Sequence, residues 1–227
     1  MAEKTALIVG VGDGLSASLA RLLRREGYRL VLAARNAEKL GPLAQETGAK
    51  AVKCDASYEA DVVSLFGGIA PVPDVVVYNP SARVRGPIAT LEAADVRRAI
   101  EVTAVGAFLV GREAAKVMEP RGTGTILFTG ASAGWKGFPM SAPFAMGKFA
   151  LRGLAQSMAR ELHPKGIHIG HINIDGAIRN PGREEPADKP DSMLDPDAVA
   201  QVYLDLINQH RSAWTHEIEV RPWVERF

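Results

Sequence analysis

Short apolar runs, continuous rather than alternating with polar residues, take turns with helical stretches along almost the whole chain. This pattern leaves few folds open, because a strand that is apolar at every residue must be covered on both faces. Strands are predicted at residues 5–10, 29–34, 51–54, 74–78, 124–129, 167–174 and 217–220. Helices are predicted at 15–26, about 37–47, about 59–66, 93–118, 142–163 and 196–208. Such an alternation predicts an α/β chain in three layers, a doubly wound, mainly parallel sheet of seven strands flanked by helices. At 227 residues the chain suits one domain spanning 1–227 and is too short for two ordinary ones. One long irregular segment, 175–195, carries Pro181, Pro186 and Pro190 among charges. A loop of that length is either disordered or functional, and it is no linker, since too little chain follows it to form a domain.

Composition narrows the function. Apolar residues make up 47% and charged residues 23%, with a formal net charge of +1. Acids and bases are interspersed, so there is no electrostatic footprint for nucleic acid or for an anionic membrane. Cys54 is the sole cysteine, which excludes an internal disulfide and a cysteine-rich metal site. The five histidines show no metal-ligand spacing, and His168 and His171 read as surface and core members of a strand. The N-terminus lacks a signal-peptide layout, and no apolar run approaches the ~20 residues of a spanning helix. A cytoplasmic location is the expectation.

The first predicted strand runs directly into Gly10-Val11-Gly12-Asp13-Gly14-Leu15-Ser16 and then a helix. Glycines there let the backbone turn tightly and approach a pyrophosphate, while the helix N-terminus supplies free N–H groups and a positive dipole end. About 20 residues further on, NAD sites keep an acid for the ribose hydroxyls. Here the second strand ends Ala33-Ala34-Arg35-Asn36, with no acid and an arginine able to grip a 2′-phosphate. This favours NADP(H) over NAD, although Asp13 adds a negative charge to the same loop.

With these residues in hand, nearly the whole chain resembles the short-chain dehydrogenase/reductase family, whose fold is Rossmann-like. The family's TGxxxGxG turn is similar to Val9–Ser16, with Val for Thr and Ser for the last Gly. Cys54-Asp55 stands where members place an aspartate against the adenine. Tyr78-Asn79-Pro80-Ser81 resembles the NNAG segment with one asparagine kept, and Asp175-Gly176 resembles the PG turn. The resemblance implies cofactor contacts from Gly10, Gly12, Asp13, Gly14, Leu15, Arg35, Asn36, Asp55, Ala56, Asn79, Lys148, Gly176 and Ile178. It places Asn180 near the family's threonine that contacts the nicotinamide amide. Arg179 beside it reads as a member of a surface ion pair, or as a contact for an anionic substrate.

The catalytic positions depart from the family. Its YxxxK pair falls on Phe144-Ala145-Met146-Gly147-Lys148, its serine on Ala131 and its helix asparagine on Thr103, so only Lys148 survives. Positioned general acid–base catalysis contributes about 10²–10⁴-fold, and Phe144 has no proton to give. Substitute hydroxyls are Ser132, one residue out of register, and Ser141, three before Phe144 and seven before Lys148, with Tyr78 and Thr103 behind them. Each of these hydroxyls reads more readily as a structural hydrogen-bonder than as a catalytic group. Three functions remain open: an oxidoreductase with a rearranged proton-donor set, a nucleotide-binding redox sensor or assembly partner without turnover, and a scaffold that binds no nucleotide. The polar 175–195 segment predicts a small or polar carbonyl or conjugated substrate. The resemblance also implies a homodimer or homotetramer built on the apolar stretches 102–110 and 142–154. The C-terminal stretch 221–227, with Trp223 and Phe227, fits either an interface or a cover for the chain's own core.

Overall fold

The computed structural model describes residues 3–225. From the N-terminus the elements are β1 (Thr5–Val9), α1 (Leu15–Arg25), β2 (Arg29–Ala34), α2 (Gly41–Thr47), β3 (Lys50–Lys53), α3 (Glu59–Gly67) and β4 (Val75–Tyr78). The second half continues with α4 (Ala93–Ile100), α5 (Gly106–Met118), β5 (Gly124–Thr129), α6 (Ala142–Leu162), β6 (Ile167–Ile174), β7 (Ala177–Ile178), β8 (Met193–Leu194), α7 (Pro196–Ile207) and β9 (Glu217–Val220). A seven-stranded sheet runs β3-β2-β1-β4-β5-β6-β9, with every neighbouring pair parallel.

The continuous strand hydrophobicity has the expected cause. Leu7 and Val9 of β1 pack toward α3, α5 and α6, whereas Ala6 and Ile8 pack toward α1 and α7. Both faces of the sheet are therefore dry, and the winding reverses between β1 and β4, which opens a crevice beyond their C-terminal ends.

Four expectations need correction. His168 is not a surface residue: all eight residues of β6 are buried, because an interior strand is covered from both sides. His168 stacks on Trp214 with ring centroids 4.9 Å apart, and burial lowers its pKa. The predicted helix 93–118 is interrupted by a π-turn at Glu101–Val105. There the Tyr78 hydroxyl donates to the Val102 carbonyl, and Gly106 lies so close to Tyr78 Oη and the Ala56 carbonyl that a Cβ would sit 2.4 and 2.8 Å from them. Segment 175–195 is not wholly irregular, since β7 and β8 form a two-residue parallel pair and Asn180 bridges to Arg183. Trp223 does not cover the chain's own core, because it is 83% exposed; Phe227 lies outside the described residues. Among the described residues no helix is long and apolar enough to cross a membrane, and no group of His, Cys, Asp or Glu side chains is placed to hold a metal.

Candidate active site

The crevice consists of two adjoining cavities of about 470 and 490 Å³ that share Gly10, Gly12, Asp13, Asn79 and Ser81. The glycine turn is their common wall, and its geometry follows from its residues. Gly10 has φ +82°, and a Cβ there would lie 2.6 Å from the Pro80 ring, so only glycine allows the turn to pass β4 this closely. A Cβ on Gly12 would meet nothing within 4 Å, which leaves its backbone open to the cleft. α1 then starts at Gly14 with no side-chain cap, so its first N–H groups are free for a ligand. Asn79 Nδ2 donates to Ser16 Oγ at 2.7 Å, which ties the end of β4 to the start of α1.

The first cavity collects Arg35, Asn36, Asp55 and Ala56 as the sequence predicts, together with Lys39. Arg35 and Lys39 are exposed, and among the described residues neither has a carboxylate partner. Lys39 escaped sequence reading, although it lies four residues beyond Arg35 in a short helical turn and so can face the same ligand. Asp55 is already engaged. Its carboxylate accepts from the Ser57 N–H at 3.1 Å, from Ser57 Oγ at 2.6 Å and from Arg98 Nη2 at 2.8 Å. Burial works against the Asp55 anion, but those Ser57 and Arg98 bonds outweigh it and hold the carboxyl below its ordinary range. Cys54 lines the same cavity, and burial pushes its thiol up to about 11, which keeps it unreactive.

The second cavity brings together Gly14, Leu15, Ala131, Phe144, Lys148, Gly176, Ile178 and Asn180. Lys148 is 2% exposed, and its Nζ donates to the Thr129 carbonyl at 2.7 Å. Burial, and then the like charge of Arg83, lower its pKa to about 7. Phe144 lines this cavity with two cations near its ring. The Arg83 guanidinium covers its face at 4.6 Å, and Lys148 Nζ lies 6.0 Å from its centroid.

The candidate hydroxyls sit elsewhere. Neither Ser132 nor Ser141 lines either cavity. Ser132 opens a 3₁₀ turn, and Ser141 is the N-cap residue of α6, without a side-chain capping bond. Tyr78 is fully buried and its hydroxyl is spent on Val102, so it is not free to meet a substrate. Thr103 is also fully buried, and its Oγ1 accepts from the Ala82 N–H at 3.1 Å. In that position it fastens the segment that carries Arg83. Arg179 makes the surface ion pair expected of it, with Asp195. Arg83 and Arg183 also line the second cavity, and no motif in the sequence signals either one.

Comparison with known proteins agrees with this geometry. The family model for short chain dehydrogenase matches residues 4–185. An uncharacterised oxidoreductase of Staphylococcus aureus is 26% identical over 98% of both chains. The crystal structure of a short-chain dehydrogenase from Rhodopseudomonas palustris superposes with a TM-score of 0.85 at 37% identity, covering 98% of this chain and all of that one. A metagenomic short-chain oxidoreductase solved in complex with NADP gives 0.85 at 27% identity, over 97% of this chain and 98% of that one. The glycine turn, the parallel sheet and the matching family model together make this chain a member of the short-chain dehydrogenase family of NAD(P)-dependent oxidoreductases.

Proposed function

We propose that the chain is an NADP(H)-preferring reductase, one nucleotide-binding unit from end to end, that acts on a small or polar carbonyl or conjugated substrate without a tyrosine proton donor. One observation carries this reading. A continuous cleft has the exposed cations Arg35 and Lys39, without a carboxylate partner among the described residues, at one end and the buried Lys148 at the other, with the glycine turn between them. The residues fit the cofactor. Arg35 and Lys39 would hold the 2′-phosphate, Gly12 and the α1 N-terminus the diphosphate, and Lys148 the nicotinamide ribose. When bound, the nicotinamide supplies the hydride.

The protein's own contribution differs from the family pattern. Phe144 excludes water from its side of the cleft but moves no proton. Lys148, with a pKa near 7, holds an exchangeable proton at Nζ around neutral pH and places positive charge where negative charge develops on the substrate. An activated carbonyl or a conjugated double bond suits this arrangement, because it delocalises charge and asks less of a proton donor. Ser132 and Ser141 lie off the cleft lining, which favours Lys148 and a water over either serine as the proton source. A small or polar substrate is favoured because the 179–192 segment offers almost no apolar side chain to line a pocket. Homo-oligomerisation would use the exposed Phe108, Met146 and Phe149 on α5 and α6.

A second reading, nucleotide binding without turnover as a redox sensor or assembly partner, is favoured by the paired loss of hydroxyls at Ala131 and Phe144. Calorimetric titration with NADPH and with NADH, followed by NADPH consumption with activated carbonyls, tests both readings. Tight NADPH binding with weak NADH binding and measurable turnover is expected. NADPH binding without turnover leaves the sensor, and no binding of either nucleotide defeats both.

A further inference from the structure

The reactive end of the cleft carries more positive charge than the proposed chemistry uses. Besides Lys148, the second cavity is lined by Arg83 and Arg183, and the sole carboxylate among its lining residues is Asp13, on the glycine turn. Both arginines are exposed, and among the described residues neither guanidinium has a hydrogen-bond or salt-bridge partner. Arg83 is nonetheless held in place. Its guanidinium carbon lies 4.6 Å from the Phe144 ring centroid, and the N–H of the preceding residue, Ala82, is bound by Thr103 Oγ1. Three residues further on, Gly86 N–H donates to the Met140 carbonyl at 3.1 Å, which docks the same segment against the turn before α6.

Surface arginines ordinarily find a carboxylate or spread into solvent. Here the surrounding protein, and then the like charges of Arg183 and Arg85, weigh against the Arg83 cation. An arginine stays charged under such pressure, so an anion seated between these guanidinium groups would be favoured. A guanidinium presents paired N–H donors in a fixed plane, the geometry that grips an oxyanion in bidentate fashion.

We propose that Arg83, with Arg183 as its second contact, forms an anion-recognition subsite, and that the substrate carries a terminal carboxylate or phosphate held beside Phe144. This rests on the reductase reading above, whose nucleotide occupies the rest of the cleft. The subsite fits the altered chemistry. A substrate clamped by charge at its far end is oriented without a tyrosine–serine pair, so binding energy replaces part of what the missing hydroxyls supplied.

The test is a titration of the NADP⁺-saturated protein, so that Arg35 and Lys39 are already occupied. Two matched pairs separate the two anion types: succinic semialdehyde against methyl 4-oxobutanoate, and glyceraldehyde 3-phosphate against glyceraldehyde. At least one anionic member should bind 10- to 100-fold more tightly than its neutral partner, by about the strength of one charge-assisted bidentate contact. Arg83→Gln should erase that difference while leaving NADPH affinity unchanged, Arg83→Lys should restore part of it, and Arg183→Gln should reduce it. Equal binding of charged and neutral members, or a difference that survives Arg83→Gln, overturns the proposal. So does a loss of NADPH affinity in Arg83→Gln equal to the loss of anion affinity, since the arginine would then serve the nucleotide. If NADPH itself does not bind the wild type, the reductase reading fails, and the Arg83-dependence of anion binding still decides the subsite.

Discussion

The two ends of the cleft are built on different principles. At the nucleotide end the determinants are backbone features: a turn at Gly10 that only glycine fits, an uncapped helix start and a strand terminus bearing Arg35. At the reactive end the lining is a set of side chains, Ala131, Phe144, Lys148, Arg83 and Arg183 among them. Backbone features are tied to the fold and cannot be lost without losing packing. Side chains at the reactive end can change while the scaffold persists, so that end is the freer of the two to vary.

The contrast breaks most visibly at Gly10. Gly10→Val places a branched side chain at φ +82° and against Pro80. We expect nucleotide binding to be abolished and stability to fall by about 2–4 kcal/mol, read by calorimetry and thermal unfolding. A variant that binds NADPH normally would show that the turn does not carry the cofactor. Next in size is restoration of the reactive end. Phe144→Tyr combined with Ala131→Ser returns a phenol between Arg83 and Lys148 and a hydroxyl beside it. Reduction of simple ketones should rise by about 10²-fold or more. Rates that do not move would mean the rest of the cleft has drifted too far for the hydroxyls to matter.

Lys148→Met should cost about 10²-fold in turnover and, separately, change the pH dependence of stability. Burial disfavours the Lys148 cation, so between about pH 7 and the ordinary lysine range the unfolded chain holds the extra proton. Wild-type stability therefore rises with pH across that window, and the cost is greatest at and below pH 7. The methionine variant should lose that slope and unfold at higher denaturant near neutrality; an unchanged slope would mean that Lys148 titrates normally. The smallest effect is at Arg35. Arg35→Asp should weaken NADPH by about 10-fold or more and narrow the gap to NADH, with Lys39 retaining part of the preference. An unchanged ratio of the two affinities would place the 2′-phosphate elsewhere.

The fold was legible because continuous apolar strands admit few arrangements, and the nucleotide end was legible because its glycines are spaced by geometry. What stayed hidden depends on contacts between distant segments. Nothing near Tyr78 in the chain says that its hydroxyl is taken by Val102, or that this contact accompanies a π-turn in an otherwise regular helical pattern. Ser132 and Ser141 looked like replacement donors by spacing, but spacing along the chain does not say whether a hydroxyl faces the cleft. Arg83 was invisible for the same reason, since its meaning comes from Phe144, Arg183 and Arg85 gathering around it. His168 is buried because the interior strand β6 has no outward face, which residue type alone does not reveal.

The close approach at Gly106 bears on how the cleft exchanges its contents. With Tyr78 Oη and the Ala56 carbonyl against the helix backbone, the floor of the first cavity and the helix behind it have no slack to open. The opposite wall is held by shorter-reaching contacts, the two-residue β7–β8 pair, the Asn180–Arg183 bridge, the Arg179–Asp195 ion pair and the Met193 N–H to Glu185 bond, and it touches the glycine turn where Asn180 Cβ comes within 3.3 Å of a Cβ built on Gly14. We expect breathing of the cleft, and with it the release of a bound nucleotide, to be governed from that side. A crosslink pinning β7 to β8 would slow dissociation, whereas stiffening the Tyr78 side would change nothing.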